Sequence, residues 1–469
     1  MKKVFFTLLA LNVLFQISAQ NWLPVGSGVG DTRAVRAMIS FNGNLIAGGD
    51  FRAMGTNTKC KRIAQWNGTE WQNMGAGFNG EVRALAVYNN ELYAAGNFDK
   101  DSSGNILYVG NIAKWSGTAW LNVAGADAAS SDIRAMHVYK GKLHITNMRY
   151  DNSTSSVRPV ISVFNGSNWA DLPGEFKGPV NYAYLYAIAE YKNNLVVAGV
   201  FDSVGNVPAH RVAMWNDTVW KSLNLPVGGR EQFTPSVIGL GGRGYSLKEY
   251  KGKLFMGGIF NSFVQAPGDT ITPPLVSWND TAWTAYRFDQ NSGATVHSMQ
   301  TLNDTFYVIG EFAYYNSNQE IQGVCASLNT ALTPPFNELR FYNPATTKLE
   351  GFASTLHNGS LFVGGRFSHA GTNTVNNIAQ FDPTPVSTSI QNVAAYALKV
   401  YPNPAQHYFM VESEGAQNIR LFNTLGEVMM ANKLQENSTI SVANLASGVY
   451  FYHIEMKDKS VSKGKIIVE

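Results

Sequence analysis

Apolar and polar positions alternate in short runs through most of the chain. Two of these runs are VRALAVY (82–88) and LYAAGNF (92–98), which are separated by the polar pair Asn89-Asn90. Successive side chains of a strand point to opposite faces, so this alternation predicts half-buried strands. Asparagine tolerates the positive φ of a tight two-residue turn. The pattern therefore predicts antiparallel hairpins.

The second run recurs along the chain and is the easiest to count. Its seven copies, the third of them degenerate, are LIAGGDF, LYAAGNF, LHITNMR, LVVAGVF, LFMGGIF, FYVIGEF and LFVGGRF. Glycine in the middle of a strand weakens pairing and usually marks a close approach by a ring or another backbone. We expect the Trp and Phe rings to be the close neighbours here.

All ten tryptophans fall on one recurring pattern. Six follow a turn and four precede it, as in IAKWSGTAW. The six that follow the turn are spaced by roughly 50 residues, a period typical of propellers and solenoids. They are Trp22, Trp71, Trp120, Trp169, Trp220 and Trp283. The segments IAKW and AWLNV then supply a third and a fourth strand, which completes a four-stranded blade.

The repeats predict an all-β fold, a seven-bladed β-propeller over residues 21–383. The last copy lacks a fourth strand, whereas NWLPVGSG (21–28) resembles a fourth strand with no preceding three. We therefore expect the N-terminal strand to close the last blade, which removes exposed edges. Residues 324–350 lack both tryptophans and contain Pro334-Pro335, so an eight-bladed count stays open.

The N-terminus has the features of a secretory signal peptide over residues 1–19. Lys2 and Lys3 precede an apolar stretch, and Ala19 is the expected cleavage position. The stretch is short for a membrane anchor, and no later segment reaches eighteen apolar residues. We expect an exported mature chain without a transmembrane segment.

Composition limits the classes of partner that the protein is expected to bind. Only 15% of the residues are charged, the net charge is +3, and no basic run is present, which disfavours nucleic acid. The two cysteines, Cys60 and Cys325, are predicted to lie in different, non-adjacent blades. Two buried thiols are therefore expected rather than a disulfide.

A second module follows a Pro/Thr/Ser-rich linker at residues 384–395. Short alternating strands over 396–469 predict a small immunoglobulin-like β-sandwich. Its motif residues are Tyr401, Pro402, Asn403, Pro404, Gly426, Gly448, Tyr450 and Lys465. In these motifs the module resembles the type A C-terminal sorting domain of the type IX (Por) secretion system. The resemblance implies a Gram-negative cell, the secretion machinery as a partner, and a secreted or outer-cell-surface location.

The glycine–apolar signature and the trailing tryptophans make residues 21–383 resemble kelch-type and fungal cell-surface propellers. The resemblance is one of pattern, without long identical runs. The Gly-His and Trp-Asp pairs of WD40 repeats and the Asp boxes of sialidases are missing from the sequence.

One constellation in the propeller suggests chemistry. Aligning the first strands places the following residues at one position: Arg36, Arg83, Arg134, Tyr186, Ser246, His297 and Ala353. Arginines that point into the channel would form a cationic mouth able to bind carboxylates or phosphates. The alternative is that each arginine packs between blades and bonds backbone carbonyls. Glu81 and Asp132, which precede two of these positions, are expected to be solvated loop charges.

No cofactor or metal site is predicted. The histidines form no zinc motif, the loop at Asp99 lacks the glutamate of a calcium site, and no nucleophile elbow is present. The leading hypothesis is an exported binding or adhesion module for a surface glycan or a host or matrix protein, without catalysis. The alternatives are a polysaccharide lyase or hydrolase with residues drawn from separate blades, and a structural surface protein.

Overall fold

The computed structural model describes the chain in segments. They are residues 21–104, 109–126, 130–151, 155–178, 182–223, 226–227, 230–231, 242–260, 263–266, 269–271, 273–286, 294–316, 319–328, 337–342, 349–370, 373–382, 398–412, 415–423, 428–435, 437–457 and 461–469. The predicted signal peptide with Ala19, the predicted linker at 384–395 and Gly426 lie outside these segments. The chain separates into two compact units, Met1–Pro385 and Val386–Glu469.

The first unit is built from antiparallel sheets in which consecutive strands are neighbours. Seven such sheets are present in the described segments, whereas the exact blade number of the whole chain stays a prediction. Their first strands are Val35–Phe41, Glu81–Tyr88, Ser130–Tyr139, Tyr184–Tyr191, Arg243–Tyr250, Thr295–Leu302 and Glu350–His357. Their second strands are Asn44–Gly49, Glu91–Asn97, Lys142–Asp151, Asn194–Val200, Lys253–Ile259, Thr305–Asn316 and Ser360–Arg366.

The third and fourth strands form the outer half of each sheet, and all ten tryptophans lie on such strands. The third strands are Ile63–Trp66, Ile112–Trp115, Ser156–Phe164, Val212–Trp215, Leu275–Trp278, Gln319–Leu328 and Ile378–Asp382. The fourth strands are Trp71–Asn73, Trp120–Asn122, Trp169–Asp171, Trp220–Ser222, Trp283–Tyr286, Asn337–Tyr342 and, in the last sheet, Asn21–Pro24.

The first strands form a closed ring. Each contacts the first strands of the two adjacent sheets, and Val35–Phe41 contacts Glu350–His357. The N-terminal strand pairs antiparallel with Ile378–Asp382, with Trp22 opposite Phe381. The predicted propeller is therefore confirmed, including closure of its last blade by the N-terminal strand.

Tight turns join the first and second strands. Both turn residues have positive φ in each of these hairpins, as at Asn89 (49°) and Asn90 (59°). The fourth hairpin turns at Lys192 and Asn193, one residue before the Asn193-Asn194 pair that its sequence indicates. Lysine occupies the left-handed region there because its neighbour at the second turn position is asparagine, which is well suited to that region.

The recurring tryptophan of the fourth strand joins neighbouring blades. Its indole nitrogen donates to a backbone carbonyl of the preceding blade, at 2.9 Å for Trp71 to Val25 and 3.1 Å for Trp120 to Met74. Trp169, Trp220 and Trp283 make equivalent bonds. A large apolar ring with one polar atom fills the gap between sheets without leaving a buried donor unpaired.

Short elements lie outside this pattern. One 3₁₀ turn spans Val109–Asn111, and the sheet that contains Thr295–Leu302 gains His369–Ala370 and Asn373–Thr374 at its edge. The remaining short strands are Phe176–Lys177, Ser203–Val204, Val207–Pro208, Pro226–Val227, Arg230–Glu231, Phe263–Ala266 and Asp269–Ile271.

The second unit contains two sheets with a core of its own that includes Phe409, Ile419, Leu421 and Ile454. One sheet is formed by Lys399–Tyr401, Tyr408–Glu412 and Ser438–Ser441. The other is formed by Val428–Lys433, Ala416–Phe422, Gly448–Met456 and Val461–Val468. This two-sheet arrangement is the expected small β-sandwich.

Candidate functional site

A β-bulge near the start of each first strand sets the candidate site. The pairing register with the second strand shifts there, as between Val35 and Ala37 and between Val82 and Ala84. A bulge leaves one residue unpaired and re-aims its side chain. The residues at this position are Arg36, Arg83, Arg134, Tyr186, Tyr245, His297 and Phe352.

The structure corrects two members of the predicted set. Tyr245 and Phe352 occupy the bulge in the fifth and seventh sheets, and the predicted Ser246 and Ala353 are the paired, buried residues that follow them. A small Ala or Ser follows the bulge residue in every sheet, as in VRA, LYA and GYS. Alignment of the strands on this small residue places Tyr245 and Phe352 at the bulge.

The mid-strand glycines opposite the bulges face backbone carbonyls, so the expectation that Trp and Phe rings are their close neighbours is wrong except at Gly258, where the Phe260 ring is also close. A Cβ atom at Gly96 would overlap the carbonyl oxygen of Glu81, and one at Gly199 would overlap that of Tyr184. The extra residue of the bulge pushes the first strand towards the second at this point, so only a residue without a side chain fits.

The bulge residues surround one cavity of about 400 Å³ at the mouth of the central channel. All five predicted site residues line it, and the structure adds four more. The full lining is Arg36, Glu81, Arg83, Arg134, Tyr186, Arg243, Tyr245, His297 and Phe352. The ring of first strands thus brings together side chains from all seven described sheets.

Ion pairs connect the three predicted arginines. Glu81 contacts Arg36 through one carboxylate oxygen and Arg83 through the other, the latter at 2.6 Å. Asp132 in the same way contacts both Arg83 and Arg134, the latter at 2.6 Å. The two acid side chains are only 18% and 21% exposed, so the expectation of solvated loop charges is wrong.

These partners also decide between the two interpretations of the arginines. Arg36 and Arg83 each pair with a carboxylate of the following blade, and Arg83 and Arg134 each pair with a carboxylate of their own strand. Bonds to backbone carbonyls are the alternative expectation. Partly buried carboxylates that bridge two guanidiniums hold these side chains in place through charge-assisted hydrogen bonds. The arginines therefore both face the cavity and brace the first three blades against one another.

An aromatic arc lines the other half of the mouth. Ring centroids are 5.0 Å apart for Tyr186 and Tyr245, 4.8 Å for Tyr245 and His297, and 5.2 Å for His297 and Phe352. Arg36 closes the circle, because its guanidinium carbon lies 4.2 Å from the centre of the Phe352 ring. Arg134 lies 4.9 Å from the Tyr186 ring at the other end of the arc.

Burial raises the pKa of Tyr186, and the nearby charges of Arg134 and Arg243 only partly oppose this effect. The phenol is therefore neutral at physiological pH and offers a hydrogen-bonding hydroxyl on a flat apolar ring. Rings of this type stack on the apolar faces of ligands while their polar edge stays hydrated.

A row of tyrosines leads outwards from the mouth. The Tyr184 ring lies parallel to that of Tyr186, at 6.2 Å and 16°, and the Tyr182 ring lies 4.7 Å from that of Tyr184. Tyr182 and Tyr184 also line a second cavity of about 640 Å³, which lies against Arg158 and Phe176. The two cavities are thus joined by a line of exposed or half-buried rings.

Two basic side chains further along the first strands, His137 and Lys248, are half-buried. Burial lowers the pKa of His137 to about 4, with smaller contributions from His144 and Lys248. Burial also lowers the pKa of Lys248, whose ammonium group donates to Gln300 at 3.2 Å.

Other chemistry is sparse in the described segments. They contain no group of three or more His, Cys, Asp or Glu side chains placed to hold a metal ion. Cys60 and Cys325 are buried free thiols, and burial raises the pKa of Cys60 to about 11.

In the second unit, the predicted motif residues meet across the sandwich. The Asn403 side chain donates to the Lys465 carbonyl at 2.9 Å and accepts from the Ile467 amide at 2.9 Å. The buried Tyr450 donates its hydroxyl hydrogen to the Ala446 carbonyl at 2.8 Å. Tyr401-Pro402 and Asn403-Pro404 are cis peptides, and Gly448 begins the strand that contains Tyr450. The motif thus ties the first strand of this unit to its last.

Two families match parts of the chain. Residues 399–469 match the secretion system C-terminal sorting domain, and residues 26–181 match the Rax2 C-terminal beta propeller domain. The predicted sorting domain is confirmed, and it indicates export to the cell surface or secretion and interaction with the secretion machinery. No helix in the described part of the chain has the length and apolar character needed to span a bilayer. No curated protein matches the chain.

Several solved structures are similar at low identity. The extracellular domain of a hybrid two-component system from B. thetaiotaomicron is 11% identical, with a TM-score of 0.43 over 93% of this chain and 55% of that chain. PorZ, a surface component of the type-IX secretion system of Porphyromonas gingivalis, is 15% identical, with a TM-score of 0.40 over 95% and 60%. A GH43 β-xylosidase/α-arabinofuranosidase from a compost metagenome is 10% identical, with a TM-score of 0.25 over 76% and 92%. The chain thus spans less than two thirds of the first two.

Proposed function

We propose that this exported propeller is a glycan-binding module whose ligand lies in the channel mouth and along the adjoining tyrosines. The observation that carries the proposal is the aromatic arc from Tyr186 to Phe352, which faces a cavity also lined by arginines. Binding sites are typically concave, apolar in part and provided with a few fixed polar groups. Flat rings beside fixed hydrogen-bond donors suit sugars, which present apolar faces and hydroxyl edges.

The row of Tyr182, Tyr184 and Tyr186 supports an extended ligand. These rings connect the mouth to the larger lateral cavity, so several sugar units of one chain could contact aromatic surface at once. Delivery by the sorting domain would place such a module at the cell surface or outside the cell, where glycans are abundant. Adhesion to a glycan-bearing surface is the role that we infer.

Binding of the purified protein to a broad glycan array tests the proposal. Selective binding is expected, and Tyr186→Ala with Tyr245→Ala should weaken it about tenfold or more, because stacking and apolar contact are lost. Tyr150→Ala is the matched control, since Tyr150 is 47% exposed and lies outside both cavities. Binding that survives the double substitution, or no binding to any glycan, would overturn the proposal.

A polysaccharide lyase or hydrolase is a second candidate. It is favoured by one observation, the convergence of Tyr186, His297 and an acid, Glu81, on one cavity. Against it, both carboxylate oxygens of Glu81 contact guanidiniums, so neither is free to act as a nucleophile or proton donor. New reducing ends or unsaturated sugars released from a polysaccharide panel, and lost in His297→Ala, would establish the enzyme.

A further inference from the structure

The charges of the channel mouth are unevenly compensated. Arg36, Arg83 and Arg134 share two carboxylates, whereas Arg243 lies on the aromatic side of the mouth. In the described segments no carboxylate lies within ion-pair distance of Arg243, and its contact is a hydrogen bond of 3.4 Å to the Tyr245 hydroxyl. The cavity lining and Asp132 together contain four guanidiniums and two carboxylates. The mouth is therefore electropositive: one excess positive charge is shared by the three bridged arginines and the other is that of Arg243.

Arg243 is also well placed for a ligand. It begins the first strand of the fifth sheet, two residues before the bulge residue Tyr245. It is half-buried, and its charge acts on Tyr186 as well as on Tyr245. A planar guanidinium beside two phenol rings can form paired hydrogen bonds to an anionic group while the rings contact the sugar that carries it.

We propose that the channel mouth selects glycans that carry an anionic group, a carboxylate or a sulfate, and that Arg243 binds this group. The inference rests on the proposed glycan-binding function and specifies its ligand class. A neutral glycan would leave the guanidinium of Arg243 without an ionic partner beside an apolar ring, which is less favourable than pairing it.

The test uses the purified full chain and an array of uronate-containing and sulfated oligosaccharides, each printed beside its carboxyl-reduced or desulfated counterpart. The wild type is expected to bind the anionic member of a pair about tenfold or more tightly. Arg243→Ala should remove that preference, and Arg243→Lys should restore part of it, because the charge returns without the planar fork. Arg52→Ala, an exposed arginine outside the cavity, should change nothing.

The outcomes separate the two proposals. Equal binding of anionic and neutral members by the wild type would overturn the anion selectivity and leave glycan binding intact. An anionic preference that persists in Arg243→Ala, in a protein with an unchanged melting temperature, would overturn the role of Arg243. Absence of binding to every oligosaccharide would overturn both proposals. The carboxylate and sulfate arms identify which group the site takes.

Discussion

At the scale of single residues, the same side chain serves both the fold and the site. Arg83 lies between the carboxylates of Glu81 and Asp132, and all three are mostly buried at the mouth. Because Glu81 and Asp132 bridge them, the three conspicuous arginines of the sequence are a brace between blades. Arg243 has no carboxylate partner in the described segments, and the repeat pattern did not single it out.

Replacement of Arg83 should therefore destabilise the protein. Arg83→Met leaves each of two partly buried carboxylates with one ionic partner in place of two, which is expected to lower the free energy of unfolding by about 1–3 kcal/mol. Urea denaturation measures the change, and Arg52→Met is the exposed control. Equal stability of the two variants would contradict the bracing role.

The lowered pKa of His137 is expected to make the stability of the protein depend on pH. Its pKa in the folded protein is lowered to about 4 from 6.5, so the unfolded chain takes up a proton first as the pH falls. The stability that its neutral form allows is present above pH 6.5 and is lost as the pH falls from 6.5 towards 4. The loss from this group is at most about 3 kcal/mol.

Unfolding free energies measured between about pH 7.5 and about pH 4.5 test this prediction, with the upper limit about one unit above the titration window and the lower limit about half a unit inside it. The wild type is expected to lose stability towards the acid end, and His137→Gln should flatten the slope. His144 contributes to the remaining slope, because burial lowers its pKa too. If His137→Gln has the same slope of stability against pH as the exposed control His407→Gln, the assignment of the slope to His137 is refuted.

At the scale of the elements, regular features were predictable and local irregularities were not. Alternation and paired Asn or Gly residues located the hairpins, because strand periodicity and positive φ are sequence-local properties. Each bulge residue lies nine positions before the first apolar residue of its second-strand run, as Tyr245 does before Leu254 and Phe352 before Leu361. The predicted Ser246 and Ala353 are one position off this spacing. The contacts of Glu81 and Asp132 join different blades, and nothing in the sequence around them specifies such pairing.

The tryptophans of adjacent strands offer a matched comparison. Trp120→Phe removes the indole donor that bonds the Met74 carbonyl in the preceding blade and is expected to cost about 1–2 kcal/mol. Trp115 packs against Trp120 at 5.1 Å, but its indole makes no hydrogen bond within the described segments. Trp115→Phe should therefore cost clearly less in thermal or urea unfolding. Equal losses would show that the indole bond does not join the blades.

At the scale of the whole molecule, closure of the ring depends on the N-terminal strand. Trp22 is 3% exposed and packs 5.3 Å from the Phe381 ring, whereas Leu23 on the same strand is 39% exposed. Trp22→Ala is expected to lower the free energy of unfolding by about 3–5 kcal/mol, and Leu23→Ala by far less. Similar effects of the two substitutions would argue against a closing role for this strand.

The sorting domain and the propeller mouth differ in how much of each the sequence predicts. The sorting motif is a set of short segments that the sequence shows one by one, and the structure adds that Asn403 joins the first of them to the last. The propeller mouth is assembled from seven separated strands, so its cavity is a property of the closed ring. Sequence alone placed five of its residues, and geometry supplied Glu81, Arg243, Tyr245 and Phe352.

A crystal structure of the protein with an oligosaccharide selected on the array would show whether the glycan binds in the channel mouth. Sugar density is expected in the mouth, stacked against Tyr186 or Tyr245, with any anionic group within hydrogen-bond distance of Arg243. Sugar bound on the outer strands or in the second unit, with the mouth empty, would contradict it.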